Sequence, residues 1–183
     1  LRIQPTRINL LSFKKSFQLA ESGCEILEKK RDILMVELRN FAYDMNRTRE
    51  EFSKALGEAI KYLEKAVIYL GPKRIERIAE STPISIEFSI DHRSIMGVTV
   101  PIIRWKGEVS QPDYGFLGTN IYLDITFKKF HKLLNILCKL AELEESVYRI
   151  ANAVEATQRR VNALRHIYIP QYRKIVENIQ MIL

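Results

Sequence analysis

The sequence predicts a mainly α protein: a long antiparallel left-handed two-helix coiled coil formed by the N- and C-terminal helices, with a small central region containing a β-hairpin. Three observations lead there. From about Asp124 to Leu183 the chain holds no Gly and a single Pro. Across it Leu140, Leu143, Val147, Ile150, Val154, Thr157, Val161, Leu164 and Tyr168 recur at alternating steps of three and four, which keeps one seam against a partner helix. A second stripe of the same kind runs from Leu10 to Tyr69. Between the two the hydrophobic period drops to that of a strand.

The N-terminal stripe reads Leu10, Phe13, Phe17, Ala20, Cys24, Leu27, Arg31, Leu34, Leu38, Phe41, Met45, Thr48, Phe52, Ala55, Ala59, Tyr62, Ala66 and Tyr69. A repeat held to seven over about eight heptads implies supercoiling, because a straight helix drifts about 20° per heptad off such a seam. Thr6, after Pro5, is placed to cap the helix. Gly71-Pro72 ends it, since the residue before a proline avoids helical geometry and glycine suits a C-terminal stop.

A short helical segment, Lys73 to Ala79, precedes the hairpin, expected at about 84–103. Ile84, Ile86, Phe88 and Ile90 alternate with polar residues, Asp91-His92-Arg93-Ser94 is expected to turn the chain, and Met96, Val98, Val100 and Ile102 alternate again. Gly97 suggests a bulge, and Pro101 confines the second strand to an edge or to its end. Gly107 to Thr119 reads as loop. Three regions follow: 1–70 as the N-terminal helix, 71–123 as the central region and 124–183 as the C-terminal helix.

Neither long helix can bury its stripe alone, so the two fold back on each other. With Leu70 beside Ile125 at the bend, Leu34 falls near Val161 and Leu27 near Tyr168, which gives a seam that includes Leu27, Leu34, Leu38, Phe41, Val154, Val161, Leu164 and Tyr168. Charge favours this pairing: Arg159, Arg160, Arg165, Arg173 and Lys174 would lie along Glu21, Glu25, Glu28, Asp32 and Glu37. Pro170 removes a backbone donor inside the second helix, so a kink is expected near His166 to Pro170, packed against Gly23.

The 183 residues carry 29 basic and 22 acidic side chains, a net +7, and 46% of them are hydrophobic. That is enough for a core, and charges of both signs mixed along helices describe solvated faces. No run of eighteen apolar residues could span a membrane, and Leu-Arg-Ile-Gln-Pro lacks the apolar core of a signal peptide. The absence of an initiator Met suggests trimmed ends. Cys24 and Cys138 would lie on the order of 50 Å apart in an antiparallel pair, too far for a disulfide, and an intracellular address fits.

Chemistry is sparse. There is no Gly-rich phosphate loop, no paired-carboxylate signature and no nucleophile elbow. His92, His131 and His166 are too dispersed for a metal site or triad, and no cofactor is expected. Trp105 reads as a cap on the central region or as a contact anchor. Arg2, Arg7, Lys14 and Lys15 precede any acid. They could meet phosphates, but base readout would need polar or aromatic residues on the same face, and Phe13 and Phe17 belong to the seam. An acidic protein partner suits them better than nucleic acid.

The blocks Pro5-Thr6-Arg7, Leu10, Lys14, Ala20, Gly23, Leu27, Lys30-Arg31-Asp32 and Leu34-Met35, then Ile95-Met96-Gly97-Val98, Val100-Pro101 and Tyr114-Gly115-Phe116-Leu117, then Arg159-Arg160-Val161-Asn162-Ala163-Leu164 and Ile169-Pro170, together resemble the D subunit of V-type and archaeal-type (A-type) rotary ATPases. The likeness covers nearly the whole chain. It departs at Phe13 and Phe17, where Leu is commoner, at Cys24, where a larger polar or aromatic residue is usual, and at Arg165, where members often carry Glu.

The resemblance implies a non-catalytic central rotor axle. It transmits torque between a hexamer of A and B subunits that hydrolyses or makes ATP and an ion-translocating membrane ring. The implied partners are the F subunit, the A/B hexamer and a funnel-shaped socket protein above the ring, with no nucleic acid and no direct membrane insertion. The implied place is cytoplasmic, peripheral on a membrane-bound complex. Contacts in the stator bore are expected at Arg2, Arg7, Lys14, Lys15, Arg159, Arg160 and Arg165, and a regulatory role for the hairpin through Ile86, Phe88, Met96 and Val98. The alternatives are a coiled-coil scaffold or a nucleic-acid-binding helical hairpin outside any rotary complex.

Overall fold

The computed structural model describes residues 4–81, 87–105, 114 and 118–183. Helix α1 spans Arg7–Leu70, α2 Pro72–Ser81, and strands β1 and β2 Phe88–Ile95 and Val98–Trp105. Helix α3 runs over Ile121–Ala163, a π-type turn over Leu164–Tyr168 and α4 over Ile169–Ile182. The protein is mainly helical, with the N-terminal helix packed on the C-terminal one and a small antiparallel hairpin between them in sequence. Two compact units divide the chain, Leu1–Arg39 with Arg149–Leu183 as one and Asn40–Tyr148 as the other.

Capping follows the residues that flank α1. The Asn9 backbone N–H donates 3.2 Å to Thr6 Oγ1, which satisfies one of the donors a helix start leaves free. At the other end Gly71 takes φ 79°, and its N–H donates to Val67 O. Pro72 then opens α2, where its missing N–H costs nothing.

In the first unit the helices bury Leu34, Ile150 and Val161 to 0%, 0% and 1% exposure. Polar residues on this face are satisfied locally: the Thr157 hydroxyl donates 2.8 Å to Ala153 O. Arg31 keeps its guanidinium at the edge, donating to Asp32 Oδ1 and, at 3.1 Å, to Gln158 Oε1.

In the second unit Ala66, Tyr114 and Leu123 form a buried cluster, with Leu70, Ile75, Ile78, Tyr122 and Phe127 packed on it. Ile75 and Ile78 bring the apolar face of α2 down onto this cluster. Buried Ser146 and Thr126 donate to carbonyls one turn back, at 2.7 Å each.

The pairing of the long helices is antiparallel, within a helical turn of the predicted register at Glu28 and Arg49 and displaced from it at Glu58. Glu28 meets Arg165 rather than the level of Ile167, Arg49 meets Glu144 rather than Ser146, and Glu58 meets Lys129 rather than Leu137. The offset grows from about half a turn to about two turns, part of which the length of Lys and Glu side chains absorbs. An earlier pivot contributes about one turn of it near the bend. Helix α3 is already formed at Ile121, and Tyr122 stacks on Tyr69 with ring centroids 5.3 Å apart, so the chain turns back earlier than a Leu70–Ile125 pivot assumes.

The hairpin is built differently from its expected form. Asp91-His92-Arg93-Ser94 is not a turn but the middle of β1, and the chain reverses at Met96-Gly97, where both residues have positive φ, 50° and 82°. Paired positive φ values are what a two-residue hairpin loop needs to match strand twist. Gly97 is therefore a turn residue and not a bulge. Met96 carries a Cβ at φ 50°, so Met96→Asn, which tolerates that region, is expected to stabilise the hairpin by about 0.5–1 kcal/mol. Slower hydrogen exchange at the Ile95 and Val98 amides would register it. Ile84 and Ile86 lie outside the described residues.

The C-terminal segment also departs from the simple stripe. Inward positions run Thr157, Val161, Leu164, then Ile169, Tyr172, Val176 and Ile179. The step from Leu164 to Ile169 is one residue longer than an α-helix gives, and the Ile169 N–H donates to Leu164 O to close a π-type turn. This turn overlaps the stretch where a kink is expected ahead of Pro170. It corrects the place of Tyr168, which the turn rotates out of the seam to 48% exposure. Gly23 is not packed against the proline segment either: a Cβ built on it meets nothing within 4 Å. Gly23→Ala is therefore expected to raise stability by about 0.5–1 kcal/mol through helix propensity, seen as a higher urea midpoint of the helical circular dichroism.

Candidate functional site

In the first unit Arg7, Lys14, Lys15, Arg159, Arg160 and Arg165 are all exposed, while Arg2 lies outside the described residues. They do not form one patch of equal character. Arg165 donates 2.6 Å to Glu28, and Arg159 pairs with Glu155 one turn before it. Among the described residues Arg7, Lys14, Lys15 and Arg160 form no ion pair, which leaves four cations for something outside the chain. The Glu28 carboxylate also accepts from Cys24 Sγ at 3.4 Å. Burial, then this bond and the charge on Glu28, push the Cys24 thiol above its ordinary pKa. A neutral, 5% exposed thiol is a packing residue and not a nucleophile.

Sequence reasoning missed the apolar part of this surface. Leu19, Ile26 and Ile33 are 75%, 66% and 46% exposed. Spaced by seven, they form one column along α1, outside the buried face. The signal was present as a second heptad stripe beside the one assigned to the seam. A groove of about 740 Å³ opens near its end, floored by Met35, Val36, Ala151 and Val154 and rimmed by Arg39 and Arg159. A smaller one of about 380 Å³ opens at Ser16, Ala20, Gly23, Leu164 and Tyr168, beside the π-type turn.

In the second unit the hairpin supplies a different surface. Val100 is fully buried and Pro101 is buried with it, so β2 is the strand held by the helices. The Ile103 N–H donates 3.0 Å to Glu142 Oε2 on α3, the Arg93 guanidinium lies 5.6 Å from the Phe41 ring centroid on α1, and Trp105 meets His131 edge-on at 5.6 Å. Phe88, Ile90 and Met96 are 56%, 53% and 44% exposed, and Val98 is half-buried. His131, between Trp105 and Phe127, has a buried Nε2 with no hydrogen-bond partner among the described residues.

Among the described residues no group of three or more His, Cys, Asp or Glu side chains is placed to hold a metal ion, and no helix is long and apolar enough to cross a membrane. What the geometry offers is contact surface: an apolar column and exposed cations in one unit and a half-covered hairpin in the other. This defines a helical-hairpin protein of the kind that serves as one component of a larger assembly.

The family model described as the D subunit of ATP synthase matches residues 9–183. The A-type ATP synthase D subunit of Methanosphaera stadtmanae is 39% identical over 182 residues, covering 98% of this chain and 85% of that protein. That of Pyrococcus furiosus is 36% identical over 183 residues, with 98% and 86% covered, and that of Methanobrevibacter smithii 38% over 182, with 98% and 79%. The chain belongs to the family of ATP synthase D subunits.

Proposed function

We propose that this chain is the central rotor axle of an A-type or V-type rotary ATPase. It carries torque between a catalytic hexamer of A and B subunits and an ion-translocating membrane ring, and contributes no catalytic group itself. The F subunit and a funnel-shaped socket protein are its further partners, on the cytoplasmic side of the membrane.

The observation that carries the reading is the exposed column of Leu19, Ile26 and Ile33 in the same unit as Arg7, Lys14, Lys15 and Arg160, which form no ion pair among the described residues. Apolar side chains at heptad spacing on an exposed helix face need a protein surface to cover them. A surface that several stator positions must pass in turn favours shallow apolar contact with dispersed charge over a single deep lock.

The test is a Leu19→Asp/Ile26→Asp chain. Both positions are exposed, so the free protein should keep its helical circular dichroism and its thermal midpoint. Its affinity for a preformed A/B hexamer should fall by at least about 10-fold, with a matching loss of rotation-coupled ATP hydrolysis. Unchanged affinity would remove this face from the bore. Oligonucleotide binding with a steep salt dependence would instead favour a nucleic-acid reading.

A further inference from the structure

Among the described residues, the hairpin leaves one row of backbone groups without partners. Because the Ile103 N–H donates to Glu142, Ile103 faces away from β1, and so do the alternate residues Pro101 and Thr99. The register sets Phe88 opposite Trp105, Ile90 opposite Ile103, His92 opposite Pro101 and Ser94 opposite Thr99. Both members of such an antiparallel pair turn their N–H and C=O groups outward. Phe88, Ile90, His92 and Ser94 therefore present theirs along the far edge of β1.

The two edges are treated differently. On β2 the outward donor of Ile103 is taken by a carboxylate, and at position 101 proline removes the donor altogether. On β1, the outer strand of a two-stranded sheet, neither device occurs, and among the described residues no backbone hydrogen bond reaches the outward row. Natural edge strands are usually blunted by charge, proline or cover. Here the side chains that accompany the row include Phe88 and Ile90, more than half exposed.

We propose that the outer edge of β1 is a strand-addition site that takes an extended segment of a partner protein, with uncharged apolar residues at two alternate positions beside Phe88 and Ile90. The row of unpaired N–H and C=O groups specifies an extended backbone, because a helix has already used its own. The charged side chains of β1 lie on the other face and are engaged: Asp91 with Arg104 at 3.1 Å and Arg93 over Phe41. A second copy of this chain uses the edge less fully. Two-fold pairing about His92 sets Ile90 against Ser94 and Phe88 against the turn residue Met96, pairing about Asp91 sets two carboxylates opposite each other, and pairing about Ile90 engages only Phe88–His92 of the strand.

Hydrogen exchange resolved to single amides tests this in the full chain, free and within its purified ATP synthase complex. In the free chain the amides of Phe88, Ile90, His92 and Ser94 should exchange at least about 10-fold faster than those of Ser89, Asp91 and Arg93, which bond β2. In the complex the outward row should slow by at least about 10-fold. His92→Pro places on β1 the arrangement that Pro101 already has on β2, and it leaves the inner ladder intact. It should preserve inner-row protection while weakening assembly by about 10-fold or more. Outward amides that exchange alike in both states, concentration-dependent protection in the free chain, or unchanged assembly of His92→Pro would each overturn the proposal.

Discussion

Replacing Leu34 with alanine is expected to destabilise the chain by about 2–5 kcal/mol, whereas the same change at neighbouring Ile33 should cost well under about 1 kcal/mol. Leu34 is fully buried and Ile33 is 46% exposed, one residue apart on the same helix. Their helix propensities differ little, so the contrast isolates the interface. Truncating Leu34 removes apolar contact and leaves a cavity that two long helices cannot close by a local shift, because each side chain is held by neighbours a turn away. Urea unfolding followed at the helical circular dichroism band measures both. Equal costs at the two positions would mean that the packed face of α1 lies elsewhere.

Tyr114→Phe should cost about 1–3 kcal/mol at neutral pH. The Tyr114 hydroxyl donates 2.6 Å to Asp124 Oδ1, in the first turn of α3, and the residue is 7% exposed within the cluster that also holds Ala66 and Leu123. Removing the donor leaves a carboxylate facing a largely buried ring. The wild-type bond also carries a pH signature. Burial, followed by the bond to Asp124 and its charge, holds the Tyr114 hydroxyl above its ordinary pKa. The folded state thus keeps a proton that the unfolded chain gives up near about pH 10, and this contribution is complete below that value and lost as pH rises through the raised folded one. The gap in unfolding free energy between wild type and Tyr114→Phe should therefore narrow above about pH 10. A gap that stays constant to high pH would place the hydroxyl in water.

Much of the fold is legible because its determinants are periodic. The heptads of α1 and α3, the Thr6 cap and the Gly71-Pro72 stop each state a local physical requirement, and the structure meets them. The parts that are not legible are those where tertiary context overrides the local signal. Asp91-His92-Arg93-Ser94 has the polarity of a turn, but on an exposed edge strand polar side chains are equally at home, and Asp91 finds Arg104 across the sheet. Met at positive φ is not a turn signal, so by pattern Met96-Gly97 reads as strand and bulge. Tyr168 occupies a correct heptad position in the sequence and an incorrect one in space, since no spacing rule announces the extra residue of the π-type turn. Of the surface, the cations are visible as a run without acids. The column of Leu19, Ile26 and Ile33 is hidden by the seam, which claims the apolar periodicity first.

The π-type turn also determines where the chain could change length. Removing one residue from the middle of α3 would turn every later side chain by about 100° and expose what is now inside. Within Leu164–Tyr168 the same deletion would shorten a five-residue step to the ordinary four, so that Val161 and Ile179 would both still point inward. The turn is a slip joint: slack of a single residue, held just ahead of a proline that cannot supply the missing donor, in a helix that otherwise has none.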